Sequence, residues 1–145
     1  MHQGTAKFAR QTRAAEFFAE VSVEVEQAPQ TSISAHTQGE GFRSQGDIES
    51  APAVGYDDWK AGAILGAQFA LETAKLAAVV CVTRISGISS DTNPSIVAAA
   101  AALAVWAALK VQPQPHARER VERIALESWE SSPTALPVLS GFSRA

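Results

Sequence analysis

Three groups of side chains could do chemistry. Asp57 and Asp58 are adjacent carboxylates, the residue type that general acid–base catalysis uses. Ser89, Ser90, Asp91 and Thr92 set hydroxyls around a carboxylate, the raw material of a nucleophile site. His2, His36 and His116 are the nitrogen ligands a metal would take. Each group has a plainer reading. Aspartate is a favoured N-cap and a helical apolar pattern opens at Trp59, so Asp57 or Asp58 is expected to cap a helix. No histidine lies near residues 89–92 to act as base, and serine, aspartate and threonine are ordinary turn residues. The histidines are widely separated and lack metal-ligand spacing. A G-x-x-x-x-G-K-[ST] phosphate loop is absent, which excludes GTP hydrolysis by this chain alone. The expectation is a chain that is not an enzyme and holds neither cofactor nor metal.

Composition narrows the classes further. The chain has 145 residues, 46% apolar and 19% charged, which suits one globular domain with an appendage. Its net charge is −3, the wrong sign for a surface that binds nucleic acid through phosphates. Lys7, Arg10 and Arg13 are the nearest thing to a basic patch. The single cysteine, Cys81, builds neither a disulfide nor a Cys-based zinc site, and inside its apolar run it reads as a small buried hydrophobe. A reducing compartment, the cytoplasm, is the expectation. The opening "MHQGTAKFARQTRAAEFF" has no apolar core of the secretory kind. The segment "SIVAAAAALAVWAAL" is shorter than the ~20 residues that span a bilayer and reads as a core helix.

The elements that would position these residues follow from periodicity. "FFAEVSVEVE" alternates, with Phe17, Ala19, Val21, Val23 and Val25 on one face and Glu20, Ser22, Glu24 and Glu26 on the other. That is a half-buried strand with an acidic wet face. "AKFARQT" is its partner, "TSISAHT" a short edge strand, and "GEGFRSQGDIE" a further strand weakened by glycines. A helix then runs to about Leu76, in which Gly62 and Gly66 permit close packing on a sheet. "LAAVVCVTRIS" reads as a central strand, apolar on both faces. Asn93 and Pro94 open a second helix as N-cap and first turn, and it runs to Lys110. "HARERVERIALESWE" is an amphipathic helix with Val121, Ile124, Ala125 and Trp129 inward, and after it comes a Pro/Ser-rich tail carrying Leu136, Val138, Leu139 and Phe142. The order predicts an α+β two-layer sandwich, mostly antiparallel, with two helices on one face of the sheet and a C-terminal helical appendage. The division falls between residues 1–112 and 113–145.

Over about residues 5–111 the sequence resembles domain IV of bacterial elongation factor G and its translational GTPase relatives. The resemblance is carried by "KFARQTRAAEFFAEVSVEVEQAP", "GEGF", the spacing of Trp59 and Gly66, "VVCVTRISG" and "DTNPSIVAAAAALAVWAAL", in that order. It implies a ribosomal-protein-S5-domain-2-like fold with a left-handed βαβ crossover. It also implies two loops at one tip, the tip that enters the decoding centre in that family. Arg10, Gln11, Thr12 and Arg13 would open one loop. Gly87, Ser89, Ser90, Asp91, Thr92 and Asn93 would form the other. The sequence departs from the family where the first loop lacks glycine and gains Glu16, and where Ser90 replaces a common tip histidine. "HARERVERIALESWE" does not resemble the C-terminal domain that succeeds domain IV in the factor.

Two functions compete at this level. One is a non-catalytic module that binds the ribosome, ribosomal RNA or a translation-associated protein through the tip. The other is a protein-interaction or structural module that has lost that role, with the C-terminal tail either bound in cis or offered to a partner. An enzyme of the same fold superfamily is the third, weaker reading.

Overall fold

Strong alternation makes Glu16–Gln27 the organising strand, β2, and the computed structural model of the chain, which describes residues 1–131 and 134–139, bears this out. Phe17, Ala19, Val21, Val23 and Val25 are all buried, while Glu20, Ser22 and Glu24 are half-buried and Glu26 is exposed. β1, His2–Gln11, pairs with it antiparallel from His2↔Val25 to Gln11↔Glu16. On the open face this register sets Lys7 opposite Glu20 and brings Thr5 Oγ1 2.9 Å from Ser22 Oγ.

β5, Ala78–Gly87, pairs antiparallel with the other side of β2, and β3, Ser32–Ala35, lies parallel beyond it. A two-residue strand β4, Glu49–Ser50, pairs with the end of β5. The result is an open mixed sheet in the order β1-β2-β5-β3, with β4 also on β5. Helices cover only one face, so the apolar β5 is not buried on both. Val80 and Val82 face the core, whereas Val79 is 48% exposed. Cys81, between the two buried valines, is half-buried on the open face, not a core residue. A β-bulge shifts the register between Ser22↔Arg84 and Val23↔Val82. The extra residue, Thr83, changes the phase of alternation and returns Ile85 to the core.

The strand expected over "GEGFRSQGDIE" reduces to one bridge, Gly41↔Ser50, and β4. Gly41 and Gly46 adopt positive φ, and a turn joins Asp47 N to Ser44 O, so the backbone between them cannot run extended.

α1, Asp57–Ala74, is not capped by its aspartates. Tyr56 holds the N-cap position with φ 59 and makes no side-chain cap bond, leaving Asp57 and Asp58 in the first turn. α2, Pro94–Leu109, starts as its sequence predicts: Asn93 Oδ1 accepts from Ile96 N at 3.0 Å. It buries thirteen of its sixteen residues, because β1 and β2 lie under it and α1 and α3 flank it. Gly62 and Gly66 face α2 rather than the sheet. A Cβ on either would sit well inside contact distance of the carbonyl oxygens of Pro94 and Ala98. Gly4 of β1 meets Ala104 and Ala108 of α2 in the same way. Trp106 closes the far end, its Nε1 donating to Ala70 O at 3.2 Å.

α3, Pro115–Glu127, lays Ala117, Val121 and Ala125 on α2, all fully buried. Its wet side carries Arg118–Glu122 at 3.2 Å and Glu119–Arg123 at 3.7 Å. Ile124 within it and Trp129 beyond it are half-buried, Leu139 is buried, and Leu136 and Val138 are exposed. Phe142 lies outside the described residues. No helix among the described residues is long and apolar enough to cross a membrane.

The contact between α1 and α2 makes a signed prediction. Helix propensity alone favours Gly66→Ala by about 1 kcal/mol. The added methyl meets the Ala98 carbonyl, and overpacking of this kind costs roughly 1–3 kcal/mol. Urea unfolding of Gly66→Ala should therefore show a lower midpoint than the parent chain. A higher midpoint would mean that the helices do not approach this closely.

Candidate functional site

The two loops singled out by sequence emerge at the same end of the sheet. β1 and β2 separate after Gln11↔Glu16, and β5 leaves β2 at Ala19↔Gly87, three residues along. Thr12 shapes the first turn: its N donates to Ala15 O at 2.9 Å, and its Oγ1 accepts from the amides of Ala14 and Ala15 at 3.3 and 3.2 Å. The second loop is tied to β2 beside that turn. Phe18 N donates to Asp91 O at 2.9 Å, Thr92 Oγ1 donates to Phe18 O at 2.5 Å, and Ile88 N donates to Thr92 Oγ1 at 2.8 Å.

These bonds sort the predicted residues. Gly87, Thr92 and Asn93 are buried at the base of the loop, where they hold the backbone. Gly87 packs against Thr92 and the Trp59 ring too closely for any side chain. Gln11, Thr12, Arg13, Ser89 and Ser90 are exposed, and Asp91 is half-buried with its Oδ1 accepting from Ser90 Oγ at 3.0 Å. Arg10 is engaged. It lies 4.8 Å from the Phe8 ring centroid and 3.5 Å from Glu122 of α3.

The C-terminal segment reaches the same end. Trp129 Nε1 donates to Glu16 O at 3.3 Å, and Asn93 Nδ2 donates to Ser128 Oγ at 2.8 Å in a buried contact. The carbonyl of Ala125 in turn accepts from Ser128 Oγ at 2.7 Å. Asn93 thus caps α2 with its oxygen and holds the end of α3 with its nitrogen, a double use that its sequence neighbours do not announce.

One polar centre escaped the sequence reading. Glu49, on β4, is 3% exposed. Its Oε1 accepts from Ser89 Oγ at 2.5 Å and its Oε2 from the Tyr56 hydroxyl. Pairing of Glu49 with Gly87 and of Ser50 with Ser86 places it there, with the two serine hydroxyls 2.9 Å apart. Above it opens a depression of about 580 Å³, walled by Phe42, Tyr56 and Trp59 and rimmed by Asp57 and Asp58. Nothing in "GDIES" marks Glu49 out, because its burial depends on a loop closing over β5 from forty residues away. The aspartates, the serine loop and the aromatic start of α1 do converge here, but through Glu49. His2, His36 and His116 are all exposed, and no cluster able to hold a metal ion occurs among the described residues.

No family model and no curated protein matches this chain. Among solved structures it is similar to the crystal structure of ttk003000868 from Thermus thermophilus, with a TM-score of 0.60 and 15% identity. The match covers 77% of this chain but only 16% of that one. At this identity the likeness is one of fold.

Burial raises the Tyr56 hydroxyl above its ordinary pKa, and the hydrogen bond to Glu49 and the charge of that carboxylate push it up to about 12. The unfolded value is 10.0, so the stabilising contribution of this group is complete below pH 10.0 and disappears as pH rises to about 12. Tyr56 is the only tyrosine, so absorbance of the phenolate reads it directly. The folded chain should titrate near pH 12, and Glu49→Gln should move the midpoint down. A midpoint near 10.0 in the folded parent would refute the contact.

Proposed function

We propose that this chain is a non-catalytic binding module that meets a protein partner through the end bearing the 12–15 turn and the 88–93 loop. What carries the reading is the charge of that end. Arg10 and Arg118 share the one carboxylate of Glu122, and with Arg13 they are outnumbered by Glu16, Asp91, Asp57, Asp58 and the buried Glu49. Phosphate neutralisation supplies most of the affinity of a nucleic-acid contact, and this end has little to offer it. Charge complementarity instead suits a partner with a basic surface. The resemblance of residues 5–111 to domain IV of elongation factor G makes the translation machinery the first place to look for that partner. A second reading, direct contact with ribosomal RNA, rests on exposed Arg13 beside Gln11 and Thr12.

Co-sedimentation with ribosomes and with naked ribosomal RNA separates the readings. A phosphate-driven contact weakens by orders of magnitude between about 50 and 200 mM salt. The expected result is binding to ribosomes with a shallow salt dependence, none to naked RNA, and loss of binding in Ser90→Trp with an unchanged Tm. Steep salt dependence with binding to naked RNA would replace the first reading by the second. A supernatant-only result at low salt would end both.

A further inference from the structure

We propose that the depression over Glu49 is a docking pocket for an arginine or lysine side chain on a basic segment of a partner protein. This rests on the binding-module reading and gives the partner its chemistry. The walls are aromatic: Tyr56 and Trp59 meet edge to face with centroids 4.9 Å apart, and Phe42 stands 60% exposed across from them. Phe42 is the exposed member of the three and does not belong to the buried core cluster. Ile48 at 54% and Val54 at 87% exposure lie on the same stretch of chain but do not line the depression.

The charge around those walls selects the occupant. Asp57 and Asp58 stand at the rim and Glu49 lies at the floor. Among the described residues none of the three has an ion-pair partner. Buried carboxylates are normally paired, yet Glu49 receives only two hydroxyl donors. The cations of the neighbouring chain are turned elsewhere: Lys60 Nζ donates to Ala53 O at 3.0 Å, and Arg43 pairs with Glu40 at 3.2 Å. Asp57 and Asp58 also favour the N-terminal end of α1, but that role needs no aromatic wall. A cation carried on an apolar stem satisfies both halves of the site. The stem lies along the rings, the head meets their faces and then the carboxylates.

The test is titration of the full chain with acetyl-Gly-Arg-Gly-amide and with the same peptide carrying citrulline, the neutral isostere of arginine. Calorimetry reads affinity and amide and indole NMR shifts read position. Binding of the arginine peptide alone is expected, with shifts at Tyr56, Trp59 and Ser89. Phe42 is 60% exposed, so Phe42→Ala should weaken binding about fivefold with little change in Tm, the size of a surface cation–π contact. The double change Asp57→Asn and Asp58→Asn should weaken it by at least as much. Equal binding of the citrulline peptide, shifts confined to other surfaces, or full affinity in Phe42→Ala would overturn the proposal. If the peptide fails while Ser90→Trp still abolishes ribosome binding, the pocket assignment falls and the module reading stands. If the peptide binds and ribosomes do not, the pocket stands and the translation link falls.

Discussion

The structure depends on how closely backbone can approach α2. Half of this helix is alanine, and it is buried on almost every side. Side chains that short reach their neighbours only if the neighbours come in to meet them. Gly62 and Gly66 bring α1 in, and Gly4 brings β1 in, each at a point where a methyl group would strike backbone. Such packing trades the area of large side chains for dense dispersion contact between main chains. It also leaves little freedom. The ends of α2 are held wherever these three glycines place them, and so is the loop that feeds its N-terminus.

The end of the molecule that carries the candidate site is assembled on that fixed point. Asn93 caps α2 and holds Ser128, Thr92 ties the loop to Phe18, and Gly87 lets Trp59 lie against the loop base. The contributions differ in weight. The Arg10–Glu122 pair is partly exposed, and such pairs contribute about 0–1 kcal/mol. Burial of Ala117, Val121 and Ala125 holds α3 far more firmly. The ion pair matters less for stability than for orientation: it draws the Arg10 guanidinium toward α3, where Arg118 shares the same carboxylate. Beside the 88–93 loop the surface is acidic and aromatic.

Much of this was legible in the residues. Period-two alternation over 17–26 gave β2 its buried face, and Asn93-Pro94 marked the start of α2. Both are local signals, written in consecutive residues. The misreadings arose where a distant element decides. Gly62 and Gly66 announce a close approach but not its target, and the target is α2 rather than the sheet. The apolar run of β5 looks buried on both faces, yet one face stays open and leaves Val79 and Cys81 beside water. Asp57 and Asp58 look like caps, but the chain enters α1 through a left-handed Tyr56. The strand expected at 39–49 is broken by two glycines whose positive φ depends on how the loop folds back.

By itself the sequence determined most of the elements, their order, the α+β class and the exposed polar apex at Ser89 and Ser90, because propensity, capping and periodicity act within a few residues. Only the tertiary structure decided that the C-terminal helix would engage Arg10 and that Glu49 would be buried at the base of a depression lined by aromatic rings. Those outcomes join residues 40 or more than 100 positions apart. Electrostatic and hydrogen-bond partners are chosen by distance in space, and that distance is set by the packing of α2 rather than by any neighbour along the chain.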